Sequence, residues 1–117
     1  MMPFTSYKIS SYIQCLKRNF DEKTAHSLAF LASIKSDIDG FYVADGSVYY
    51  RDFIHVPIEG NCSELVKTVE GYDPREIRSL AYKLLMEVKY KKSVNYNERE
   101  MKLKKVVLGY TRDDEGD

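Results

Sequence analysis

The stretch GFYVADGSVYYRDFIHVP, residues 40–57, decides the fold class. Asp45-Gly46 separates two runs of β-branched and aromatic residues. An Asp-Gly pair in that setting favours the two-residue turn whose central residues both take positive φ. The turn fixes a register: Phe41 faces Tyr50, Tyr42 faces Tyr49, Val43 faces Val48 and Ala44 faces Ser47. Because side chains alternate along a strand, Phe41, Val43, Val48, Tyr50, Ile54 and Val56 share one face, with Asp52 the exception. That face is expected to be core. The other carries Tyr42, Tyr49, Arg51, Phe53 and His55, four rings and a cation. A β-hairpin is therefore expected over about residues 38–57, and a bulge near Arg51-Asp52 would exchange the later residues between faces.

Helical patterns flank this hairpin. Ile9, Tyr12, Ile13, Leu16 and Phe20 follow the 3.6-residue period, which predicts a helix over 5–20 started by Thr5 or Ser6. Asp21 is placed to cap a second helix over 22–36. Ala25, Leu28, Ala29, Phe30, Leu31, Ala32 and Ile34 make it apolar on several sides, the mark of a central helix. After the break at Pro57–Gly60, a short helix is expected over 63–70, stopped by Gly71. Asp73-Pro74-Arg75-Glu76 has the cap, the proline and the N3 glutamate of a capping box, and it opens a helix over 74–92 with the stripe Ile77, Leu80, Ala81, Leu84, Val88. Asn97-Glu98-Arg99-Glu100 looks like a second capping box, with Gly109 a candidate stop. Periodicity alone leaves residues 97–110 open between helix and strand, and helix is preferred. The expected fold is a small α+β domain, a helical core of about five helices carrying one hairpin, over residues 1–111. Residues 112–117 are expected to form an acidic disordered tail.

The chain has 117 residues, 44% of them apolar and 31% charged, and no net charge, which suits one soluble globular domain. No run approaches the length of a membrane span, and no secretory signal pattern is evident. Cytoplasmic residence is the resulting expectation, with Cys15 and Cys62 as reduced thiols. Charge is unevenly spread: residues 89–112 hold eight Lys/Arg against Glu98 and Glu100, and Asp113, Asp114, Glu115 and Asp117 follow.

Motifs for chemistry are weak. Cys15, His26, His55 and Cys62 match no metal-ligand spacing. Asp37 and Asp39, with Asp45 and Asp52 nearby, resemble a carboxylate pair but also the turn residues expected between helix and strand. Cys62 before a helix could be an activated thiol. No glycine-rich phosphate loop is present. These readings predict no catalytic residue, no metal and no cofactor.

Contact is the remaining mode of action. The chain is expected to be non-enzymatic and to bind a protein partner through Tyr42, Tyr49, Arg51, Phe53 and His55, residue types enriched in binding hot spots. A strand edge could also join a partner's sheet. An inhibitor, immunity protein or accessory subunit fits, and so does a small viral (phage) or mobile-element antagonist of a host protein; a homodimer is compatible. The alternative is a single-stranded nucleic-acid binder. It would stack bases on the same rings and neutralise phosphates with Lys89, Lys91, Lys92, Lys102, Lys104 and Lys105.

Overall fold

The computed structural model describes residues 6–35, 38–51 and 62–111. Among these, five helices and one antiparallel hairpin form a small α+β fold. Helix α1 (Ser6–Leu16) buries Ile9, Ile13 and Leu16, the expected stripe, and ends four residues before Phe20, which packs against the core from the following turn. Helix α2 (Glu22–Ala32) is the centre of the molecule, touching α1 and four further elements described below. Eight of its eleven residues are buried, as an all-round apolar helix requires. Its buried hydroxyls are satisfied locally: Ser27 donates to the Lys23 carbonyl at 2.9 Å and the turn residue Ser33 to that of Ala29 at 2.8 Å. Asp21 stands at the N-cap with extended backbone but makes no side-chain cap bond. Its carboxylate instead lies 3.8 Å from Arg78 Nη1, and that same nitrogen donates to Thr24 Oγ1 at 2.9 Å.

Strands β1 (Phe41–Ala44) and β2 (Ser47–Tyr50) pair in the expected register. Asp45 and Gly46 take φ of 53° and 72°, the paired left-handed conformation the turn demands. Phe41 and Val48 are fully buried, and Tyr50 nearly so. The Phe41 ring meets Phe30 of α2 edge-on, with centroids 5.4 Å apart. Gly40 precedes β1 because the Tyr50 ring lies against it: a Cβ there would come within 2.5 Å of Tyr50 Cε1. The expected continuation of the hairpin through Asp52, Phe53, Ile54, His55 and Val56 lies outside the described residues.

Helix α3 (Ser63–Thr68) is short, and the chain leaves it through Gly71 at φ 90°. Helix α4 (Pro74–Val88) opens on the predicted capping box: Asp73 Oδ1 accepts the Arg75 N–H at 2.8 Å, and Glu76 Oε1 accepts the Asp73 N–H at 2.9 Å. It buries Ile77, Leu80, Ala81, Leu84 and Leu85. The helix stops at Val88 rather than 92, because Lys91 adopts φ of 58° and turns the chain so that the Lys92 N–H reaches the Met86 carbonyl at 3.0 Å.

Residues 98–111 are helical, as preferred: α5 (Glu98–Thr111) packs on α2, α3 and α4. The second capping box forms, with Asn97 Oδ1 accepting the Glu100 N–H at 2.7 Å and Glu100 Oε1 accepting the Asn97 N–H at 2.8 Å. Glu100 does more than cap. It is 3% exposed and also takes Lys83 Nζ at 2.8 Å and Ser79 Oγ at 2.6 Å. Burial pushes its carboxyl pKa up, but the Lys83, Ser79 and Asn97 hydrogen bonds outweigh that and hold it below the usual range. Gly109 does not end α5, which continues to Thr111. Residues 112–117, the expected acidic tail, lie outside the described residues.

A further expectation is overturned. Cys15 of α1 and Cys62 at the start of α3 are not thiols but a disulfide, with Cα atoms 6.3 Å apart. Both are buried. The expectation failed because two cysteines 47 residues apart carry no local spacing signal, and only the tertiary fold brings Cys15 of α1 to Cys62 before α3.

Candidate binding surface on the hairpin and the end of helix α4

A two-stranded hairpin has two open edges and two faces to account for. The bond from the Arg51 N–H to the Gly40 carbonyl, 2.9 Å, sets the alternation of the ladder. Tyr42 and Tyr49 are then a hydrogen-bonded pair, while Phe41, Val43, Val48 and Tyr50 turn their backbone groups to the outer edges. Side chains from two helices cap those edges. His26 of α2 accepts the outward N–H of Tyr50 at Nδ1, 2.8 Å away. Lys89, one residue past α4, donates from Nζ to the Phe41 carbonyl, and at 3.1 Å to that of Asp39. Both helices therefore hold the hairpin by its backbone, leaving its second face free of that task.

That face carries a row of packed rings. His26 meets Tyr49 edge-on at 5.5 Å, the Tyr49 and Tyr42 centroids are 6.0 Å apart, and the Arg51 guanidinium lies 4.8 Å over the Tyr42 ring. Tyr42 and Tyr49 are half-buried and Arg51 is exposed. Of the five residues expected to meet a partner, Tyr42, Tyr49 and Arg51 are thus brought into contact, while Phe53 and His55 lie outside the described residues. Burial lowers the pKa of His26, against a smaller opposing effect of Glu22. The neutral ring is what the Tyr50 bond requires, since Nδ1 must keep its lone pair.

Beside the row lies a cleft of about 580 Å³, walled by Asp39, Gly40 and Tyr42 at the open end of the hairpin, by Arg51, and by Lys89 and Tyr90 at the end of α4. Tyr90 is 40% exposed. Among the described residues, neither Arg51 nor Lys89 is paired with a carboxylate. The six lysines of the alternative reading fall on two segments, the end of α4 with the turn after it, and α5. Lys89 lines the cleft, and Lys91 and Lys92 are exposed in the turn after α4. Lys104 lies 4.5 Å over the Tyr96 ring, and Lys102 and Lys105 are exposed on α5.

The weaker chemical motifs are dispersed. Asp39 sits at the open end of the hairpin and Asp45 at its turn, separated by the length of β1; Asp37 and Asp52 lie outside the described residues. Among the described residues no cluster of three or more His, Cys, Asp or Glu is placed to hold a metal ion, and no helix is long and apolar enough to cross a membrane. His26, Asp39, Lys89 and Tyr90 belong to this surface although sequence reasoning did not single them out for partner binding (Lys89 entered only the nucleic-acid alternative), because their roles depend on how α2 and α4 meet the hairpin. Compared with protein-family models, characterised proteins and solved structures, the chain gives no significant match.

Proposed function

We propose that the chain acts by contact rather than catalysis, binding a protein partner through the outward hairpin face. The supporting observation is the row His26–Tyr49–Tyr42–Arg51, in which each group is already packed on the next. Tyr and Arg are over-represented among residues that dominate binding energy. Rings held in place before binding lose little conformational freedom on association. Phe53 and His55 belong to this proposal only by the alternation read from the sequence. The chain would then serve as an inhibitor, immunity protein or accessory subunit.

The Cys15–Cys62 bond bears on location. Cytoplasmic residence goes with free thiols, whereas a buried disulfide supports an oxidising compartment. This reading therefore favours the latter.

Nucleic acid is the second reading, favoured by one observation: Lys89 and Tyr90 share a cleft with Tyr42 and Arg51. Affinity capture with the immobilised chain, with and without nuclease, separates the two. The protein reading expects a stoichiometric protein that survives nuclease and is lost with the Tyr42→Ala, Arg51→Ala double variant. Nucleic acid recovered with a steep salt dependence, reduced by reversing Lys91 and Lys92 to Glu, would favour the second reading instead.

A further inference from the structure

We infer that the cleft at the open end of the hairpin takes a carboxylate carried on an extended segment of the partner, and that this segment lies along the outer edge of β1. The inference rests on the protein-partner reading and goes beyond it by naming the chemistry recognised.

Three observations carry it. The first is charge. Arg51 and Lys89 border one cleft without a carboxylate partner among the described residues. The two carbonyls of Asp39 and Phe41 fix the Lys89 ammonium, and an ammonium has three N–H donors, so one remains. The Tyr42 ring under the guanidinium likewise positions Arg51. An acceptor group entering the cleft meets two cations that are already placed.

The second is the strand edge. By the ladder alternation Val43 turns its N–H and C=O outward on β1. No described residue bonds to them, whereas the outward carbonyl of Phe41 is capped by Lys89. An extended segment can pair with Val43; its next residue then lies beside Tyr42, on the face that carries Arg51, because directly opposed residues share a face and successive ones alternate.

The third is what the cleft disfavours. Asp39 lines the same cleft as the two cations, so a single carboxylate suits the site better than a run of phosphates. One face of Tyr42 is covered by Arg51, and Tyr49 is met by His26, which limits base stacking on the hairpin rings.

The test is an NMR titration of the ¹⁵N-labelled full chain with the capped peptide acetyl-Thr-Val-Thr-Glu-Thr-Val-Thr-amide, its glutamine counterpart, and oligo-dT. The glutamyl peptide is expected to shift the amides of Gly40, Val43, Arg51 and Tyr90. The glutaminyl peptide should bind about tenfold more weakly, the loss of one charge-assisted hydrogen-bonded pair. Arg51→Gln, on an exposed side chain that spares the fold, should weaken the glutamyl peptide by the same factor; Lys89→Gln is the second variant. Equal binding of both peptides, shifts elsewhere on the surface, no shift at the solubility limit, or oligo-dT filling the cleft in their place would overturn the inference. A captured protein partner whose affinity is unchanged by Arg51→Gln and Lys89→Gln would overturn this subsite while leaving the partner reading standing. Failure to capture any nuclease-resistant partner would sink that reading, with the peptide titration still judging the cleft.

Discussion

His26 Nδ1 accepts the backbone N–H of Tyr50 across 2.8 Å, tying the outer edge of β2 to helix α2. The bond exists only while the imidazole is neutral. Burial lowers the folded-state pKa of His26, so the unfolded chain takes up this proton first as pH falls. Its contribution to stability is therefore complete above the unfolded value of about 6.5 and is lost as pH drops from there through the folded pKa. His26→Phe should cost about 1–3 kcal/mol, by leaving a buried donor unpaired, and should flatten the stability profile between neutral and mildly acid pH. Urea unfolding across that range measures both. An unchanged profile would mean that the bond does not hold the hairpin.

Gly40 should not tolerate a side chain. A Cβ would come within 2.5 Å of Tyr50 Cε1, forcing that ring off Phe41, whose centroid is 4.8 Å away. Gly40→Ala is expected to lower stability by about 1–3 kcal/mol, the usual range for overpacking, with tyrosine and phenylalanine ring shifts in the NMR spectrum.

Glu100 joins α5 to α4 through Ser79 and Lys83 while capping its own helix. Glu100→Ala leaves Lys83 without its partner, and a loss of about 3 kcal/mol is expected, the low end for a broken buried pair because Lys83 is partly exposed. Its depressed pKa makes this stabilisation complete above the ordinary carboxylate range and lost as pH falls through the folded value. Glu76, held down to about 2 by the Arg99 hydrogen bonds and the Asp73 N–H, keeps its charge further into acid. Chemical denaturation of the variant, repeated at neutral and acid pH, checks the effect.

The disulfide closes a loop between positions 47 apart in sequence. Chain-entropy reasoning assigns a loop of that length about 4 kcal/mol. Reduction should lower the unfolding midpoint accordingly, and the oxidised protein should show no free thiol to Ellman's reagent after denaturation. Two thiols in protein purified without reductant would remove the argument for an oxidising compartment.

What the sequence made legible is local. The Asp45-Gly46 turn and two-residue alternation specify the whole register of β1 and β2. The boxes at Asp73–Glu76 and Asn97–Glu100 specify two helix starts from four residues each. The second resolves residues 98–111 in favour of helix, although Val106-Val107 suits a strand. What stayed hidden is long-range. Nothing near Cys15 points to Cys62. His26 caps β2 only because α2 crosses beside it, and Lys89 reaches β1 only because α4 ends at the open end of the hairpin. The cleft likewise joins residues 39–51 to residues 89–90: Arg51 was legible on the aromatic face and Lys89 among the basic residues, but not that the two border one cleft.

The central claim is that a partner meets the hairpin face, and its most direct test is the hydrogen-exchange footprint of a captured partner on this chain. Slowed exchange is expected at Tyr42, Val43, Tyr49, Tyr50, Arg51 and Tyr90, with α5 unchanged. Protection confined to the exposed side of α5, around Met101, Lys105 and Val106, with the hairpin exchanging as in the free protein, would contradict the account.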